Sequence, residues 1–230
     1  MPVSCLNMDE TLGEIEKMIL SGEPHLVATT DASGIVIAQS DQELMAIYKG
    51  CALATPDSYG VVWALRKKGV HVDRADRLCE LSARKGYTIY LLGSEPGVAD
   101  AAAERMRLKY PGCQIIGTHH GYFPASDDEF IAEAVAPANP DILLVAMGIP
   151  RQEKFILKTM PIIKARVAIG VGGSLDVFSG RAKRAPVIVQ KLKLEWLWRT
   201  ISNPKKISKA KTLPQFAKLV LLEKSGKGSK

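Results

Sequence analysis

Apolar, β-branched runs alternate with segments of helical period along the first 172 residues. HLVAT (25–29), GIVIAQ (34–39), CALAT (51–55), TIYLLGS (88–94), CQIIGTH (113–119), DILLVAMG (141–148) and ARVAIGVGG (165–173) read as strands. Between them SDQELMAIYKG, YGVVWALRKKG, RADRLCELSARKG, PGVADAAAERMRLKY, DDEFIAEAVA and RQEKFILKTMPIIK carry apolar residues at helical spacing. The PGVADAAAERMRLKY segment opens with Pro96, suited to a first helical turn. Strands that are nearly continuous in apolar residues, with helices between them, predict a mostly parallel sheet covered on both faces, a Rossmann-like α/β fold. The rhythm then breaks. APVIVQKLKLEWLWRTISNP reads as a long amphipathic helix ending before Pro204, KKISKAKT as a basic linker and LPQFAKLVLLEK as a short amphipathic helix. The expected division is a Rossmann-like domain over 1–190 and a basic C-terminal appendage over 191–230.

Charge sharpens that division. Residues 181–230 hold 14 Lys and Arg against 2 Glu, a net of +12, leaving 17 basic and 22 acidic side chains, a net of −5, in residues 1–180. A globular body with a basic end suggests a polyanionic partner: nucleic acid, an anionic membrane surface or a phosphorylated substrate. With 47% hydrophobic and 24% charged residues the composition is that of a globular protein. Cys5, Cys51, Cys79 and Cys113 lie far apart with no CxxC pair, as expected of reduced thiols in a cytosolic protein. No signal-peptide pattern opens the chain, and no apolar run reaches 18 residues.

In open α/β sheets ligands bind beyond the carboxyl ends of the strands. Five such ends carry unusual residues here: TTDASG, TPDSYG, LLGSEPG, MGIPRQEK and GVGGSLDVFSG. Glycines at Gly93, Gly97 and Gly172 serve tight turns or let backbone approach a phosphate, and several such loops on one sheet favour a nucleotide or sugar-phosphate site. Asp31 and Asp57 each follow an apolar strand, and Asp57, after a proline and before a helical segment, serves as a helix cap or as a catalytic group. Gln152 and Glu153 open a helix and fit equally a site or a first turn opposing the macrodipole. His119–His120 has no Cys or carboxylate at ligand spacing, so a strand-end role outweighs metal binding. No P-loop and no D-x-D pair occur.

Six stretches then combine in order: TPDSYGVVWALRKKG, YLLGSEPGVADAAAERM, HHGYF, PDILLVAMGIPRQEKFI, GVGGSLDVFSGRAKRAP and LEWLWRTISNP. Together, over about residues 10–205, they resemble the WecG/TagA/CpsF family of bacterial glycosyltransferases (glycosyltransferase family 26). The resemblance implies an inverting, metal-independent hexosyltransferase of the GT-E fold with a membrane-binding C-terminal appendage and no cofactor. It implies a UDP-sugar donor, usually UDP-N-acetylmannosamine, and an undecaprenyl-diphosphate-linked N-acetylglucosamine acceptor. Such an enzyme works in cell-surface polysaccharide or teichoic acid synthesis, peripheral on the inner face of the membrane, without nucleic acid; a homo-oligomer is compatible with it. Carried over by motif, Asp57 is the general base and Thr29-Thr30-Asp31 the acceptor-side motif. The donor cradle falls on LLGSEPG, MGIPRQE and GVGGSLD, with Gln152 and Asp176 as its polar groups, and Arg184 and Arg199 belong to the basic block leading into the appendage. The chain departs from the family pattern at Ser58 (Gly), at Asp31 (Asn), at Arg74 (Gly), and at Lys205, Lys206, Lys209 and Lys211, where Arg is frequent. Lysine keeps the charge but lacks the planar fork of Arg.

Two rival classes are weighed against this reading. A nicotinamide oxidoreductase lacks G-x-G-x-x-G after the first strand. A basic-tailed nucleic-acid binder is disfavoured because the tail's aromatic residues share helical faces with apolar neighbours instead of forming a stacking platform.

Overall fold

A computed structural model of the chain describes residues 3–4, 6–57, 61, 74–182 and 212–224. Six strands form one sheet: β1 (His25–Thr30), β2 (Leu53–Pro56), β3 (Thr88–Gly93), β4 (Gln114–His119), β5 (Ile142–Ala146) and β6 (Val167–Gly170). Every pairing is parallel, in the order β2-β1-β6-β5-β3-β4. The described helices are α1 (Met8–Ser21), α2 (Ala32–Ile37), α3 (Gln42–Gly50), α4 (Arg74–Lys85), α5 (Val98–Lys109), α6 (Asp128–Val135), α7 (Arg151–Ile163), α8 (Ser174–Phe178) and α9 (Thr212–Lys224).

Strand residues alternate between two cores, as period-2 geometry requires. Val27, Ile89, Leu91, Ile142, Leu144, Val167 and Ile169 join α1, α4, α5 and α8 on one face. Leu26, Ala28, Tyr90, Leu92, Leu143, Val145 and Ala168 join α3, α6 and α7 on the other. Because both faces are covered, the central strands carry almost no polar side chain, which is why they read as unbroken apolar runs.

Two expectations are corrected. Residues 34–39, read as a strand, lie in α2 and the turn after it. Asp31 accepts the Gly34 N–H at 2.6 Å and so starts a helix, while Ile35 and Val36 pack against Phe216 and Val220 of α9. Cap and tertiary packing outweigh the β preference of Ile and Val there. The helix read from Pro96 begins instead at Val98, because Gly97 takes a left-handed conformation (φ 81°) as its N-cap. The segments YGVVWALRKKG, apart from Val61, and APVIVQKLKLEWLWRTISNP lie outside the described residues.

Asp41 ties α3 to α7. Its carboxylate caps α3 by accepting the Leu44 N–H at 3.0 Å and pairs with Lys154 at 2.9 Å. These contacts, Lys154 first, hold the Asp41 carboxyl below the ordinary aspartate range. Replacing a capping Asp with Ala costs about 1 kcal/mol, so Asp41→Ala is expected to lower urea stability by that order at pH 7. Since the folded pKa is the depressed one, this contribution is present above the unfolded value of about 3.9 and is lost as pH falls through the folded value. The gap between variant and wild-type stabilities should therefore narrow as pH falls below about 3.9.

Candidate active site

The carboxyl ends of the strands meet along one edge of the sheet. Register sets Thr30 beside Pro56, and the Asp57 N–H donates to the Thr30 carbonyl at 2.9 Å, so Asp31 and Asp57 emerge next to each other from β1 and β2. Both are half-buried. Asp31 is a helix cap, since one of its carboxylate oxygens starts α2. Ser58, the next residue after Asp57, lies outside the described residues. Thr29 is buried and its hydroxyl donates to the Gly170 carbonyl at 2.6 Å, fastening β1 to the end of β6; Thr30 does the same toward Thr55 at 3.1 Å. These two threonines thus fasten β1 to both neighbouring strands just before Asp31.

A second group forms where the ends of β3, β4 and β5 cross. The Ser94 N–H donates to the Ala146 carbonyl at 2.7 Å, and the Gly121 N–H to the Ser94 carbonyl at 2.8 Å. Gly93 (φ 138°) passes so close to Ala146 that a Cβ would collide with its backbone. Glu95, in the loop after β3, accepts the Tyr122 phenol at 3.0 Å and pairs with Arg181. The hydrogen bond to the Glu95 carboxylate, then burial, raises the Tyr122 pKa. Gly97 lies at the mouth of this loop with open space around its Cβ position.

Gln152 joins the remaining loops. It is 1% exposed; its side-chain oxygen accepts the Gly148 N–H at 3.1 Å and the Gly172 N–H at 3.0 Å, and its amide N–H donates to Glu153 at 2.8 Å. The loops after β5 and β6 are therefore set by one side chain, and any Cβ at Gly170 would collide with it. Glu153 is the first-turn acid expected of this helix, and it is buried at 1% exposure.

The His119–His120 pair packs at the end of β4. His119 meets the Phe123 ring edge-on, Phe123 packs on the Phe155 ring, and the Arg151 guanidinium, which pairs with the buried Asp128, lies over both phenyl rings. Among the described residues no three His, Cys, Asp or Glu side chains converge at metal-ligating distances. Arg184 and Arg199, with Lys205, Lys206, Lys209 and Lys211, lie outside the described residues.

Sequence reasoning missed Glu95, Tyr122 and Arg181 as one cluster, although each stands in one of the six motifs. Spacing along the chain cannot show that loops after β3, β4 and β6 converge; only the strand order does.

Connections from β1 and β6, adjacent strands, leave toward opposite faces of the sheet, toward α3 and α8 respectively. Such a point opens a crevice at the carboxyl edge, the usual ligand position in doubly wound sheets. The fold and this edge define a Rossmann-like α/β protein with two carboxylates and glycine-rich loops at the carboxyl ends of its strands. The family is settled by comparison with known proteins: the model of the glycosyl transferase WecG/TagA/CpsF family matches residues 1–230, and the chain belongs to that family. It is 31% identical over 229 residues to the N-acetylglucosaminyldiphosphoundecaprenol N-acetyl-beta-D-mannosaminyltransferase of Bacillus subtilis (strain 168), covering 96% of this chain and 89% of that one. It is 30% identical over 197 residues to the enzyme of the same name from Staphylococcus aureus (strain MRSA252), covering 83% and 77%. Neither the oxidoreductase nor the nucleic-acid reading gains support from these relatives.

Proposed function

We propose that this chain transfers N-acetylmannosamine from a UDP-sugar to a polyprenyl-diphosphate-linked N-acetylglucosamine, in teichoic acid or related surface-polysaccharide synthesis. The observation that carries the reading is the position of Asp57, at the end of β2 and beside Asp31, in a chain whose family match is end to end.

Asp57 is the general base. The acceptor hydroxyl oxygen attacks the anomeric carbon, its proton passes to Asp57, and the bond from that carbon to the UDP oxygen breaks on the opposite face, inverting the centre. Asp31 orients the acceptor sugar. The loops held by Gln152, together with Gly93, Gly97, Gly172 and Asp176, receive the donor. Backbone N–H groups and the cations Arg184 and Arg199 offset the charge growing on UDP, with no divalent cation required. Release of UDP that depends on both UDP-N-acetylmannosamine and the lipid acceptor tests this assignment; release without acceptor would instead indicate a hydrolase.

On this reading the protein works at the inner face of the membrane. Among the described residues no helix is long and apolar enough to cross a bilayer. In α9, Phe216 and Val220 are used in packing on α2, while Leu221 (61% exposed) and Leu222 (38%) point outward with the exposed Lys218. An exposed face mixing leucine and lysine suits an interface with anionic lipid. Leu221→Glu, which disturbs no core contact, should weaken co-sedimentation with phosphatidylglycerol vesicles severalfold; unchanged binding would remove α9 from the membrane contact.

A further inference from the structure

One polar atom beside the site is unexplained by the fold. Tyr48 of α3 is 0% exposed, and its hydroxyl has no hydrogen-bond partner among the described residues. A buried hydroxyl left unmet costs about 1–3 kcal/mol, and phenylalanine would fill the same space without it. A second local cost stands at the same spot. Gly34 lies inside α2, where glycine is less stable than alanine by about 0.5–1 kcal/mol. A Cβ there would stand 2.5 Å from the Tyr48 oxygen, 3.0 Å from Ile149 Cδ1 and 3.5 Å from Asp31 Oδ1. Gly34 is also the residue whose N–H Asp31 accepts. Both costs are thus explained by one thing: room for a phenol oxygen under the first turn of α2, close to Asp31.

The oxygen keeps its proton, and so its capacity to donate, at neutral pH. Burial, then the carboxylates of Glu153 and Asp31, push the phenol far above the usual tyrosine range. Of those two carboxylates, Glu153 is sealed in the core and receives the Gln152 amide on one oxygen, whereas Asp31 is half-buried at the carboxyl edge of the sheet.

We propose that Tyr48 is a positioning residue for Asp31: in the acceptor complex its hydroxyl donates to the Asp31 carboxylate and holds it against the sugar hydroxyl. The proposal rests on the acceptor-side role of Asp31 in the proposed transfer. Structural violations retained beside a site, with no gain in stability, are where function is to be sought.

The test is Tyr48→Phe in the full chain, assayed with UDP-N-acetylmannosamine and a short-chain polyprenyl-diphosphate N-acetylglucosamine. The melting temperature should be equal to or above that of wild type, and UDP affinity by calorimetry should be unchanged within twofold. The kcat/KM for acceptor should fall about tenfold, the scale of a hydrogen bond to a charged group, chiefly through KM. Asp31→Asn keeps the cap, and on that background Tyr48→Phe should cost nothing further. Unchanged acceptor kinetics, losses that multiply in the double variant, or a parallel fall in UDP affinity would each overturn the proposal. Should the single variant melt lower, the non-additivity with Asp31→Asn still decides. A wild-type chain that transfers no sugar overturns the functional reading and this proposal together; normal transfer by Tyr48→Phe overturns this proposal alone.

Discussion

Asp57→Asn is expected to lower sugar transfer by about 10²–10⁴-fold, the usual worth of a positioned general base, while leaving UDP affinity and melting temperature near wild type. The amide keeps the size of the carboxylate and leaves the Asp57 N–H bond to Thr30 untouched, so little but proton acceptance is lost. The loss should fall on kcat and kcat/KM alike, since an interaction made only in the transition state is removed. Activity within about threefold of wild type would exclude Asp57 as the base.

Gln152→Ala has the largest expected effect on stability. The truncation strips the Gly148 and Gly172 N–H groups of their shared acceptor and takes a donor from buried Glu153. Each buried polar group left unmet costs about 1–3 kcal/mol, so a loss of about 3 kcal/mol is expected in urea melts. Donor KM should rise with it, because the loops after β5 and β6 no longer share a fixed spacing. Gln152→Glu is not a conservative repair: it can still accept both N–H groups, but it sets a second carboxylate against Glu153 where the amide had donated. A Gln152→Ala protein as stable as wild type would show that these loops hold their places without the amide.

The sheet was legible because burial on both faces leaves no room for polar residues, and DILLVAMG and TIYLLGS say so in composition alone. The same rule misled at GIVIAQ. A short apolar run carries no length to separate strand from helix, and the Asp31 cap and the α9 surface decided it. Site legibility had the same limits. Asp57 and Asp31 stood out as carboxylates ending apolar strands, and the register then placed them side by side. Gln152 was found as a polar residue, yet its partners are backbone N–H groups, which no sequence pattern displays. Tyr48 was invisible, reading as one more apolar position of an amphipathic helix; only the fold puts its hydroxyl beneath Gly34.

The most direct measurement of the central claim is the product itself. The chain is incubated with UDP-N-acetylmannosamine and a polyprenyl-diphosphate N-acetylglucosamine in the presence of EDTA, and the lipid is analysed by mass spectrometry and NMR. The account predicts a lipid heavier by one N-acetylhexosamine, joined by a β linkage, formed at a rate that EDTA does not change and that Asp57→Asn lowers by about 10²–10⁴-fold. An unaltered lipid, an α linkage, or product formed equally well by Asp57→Asn would contradict it.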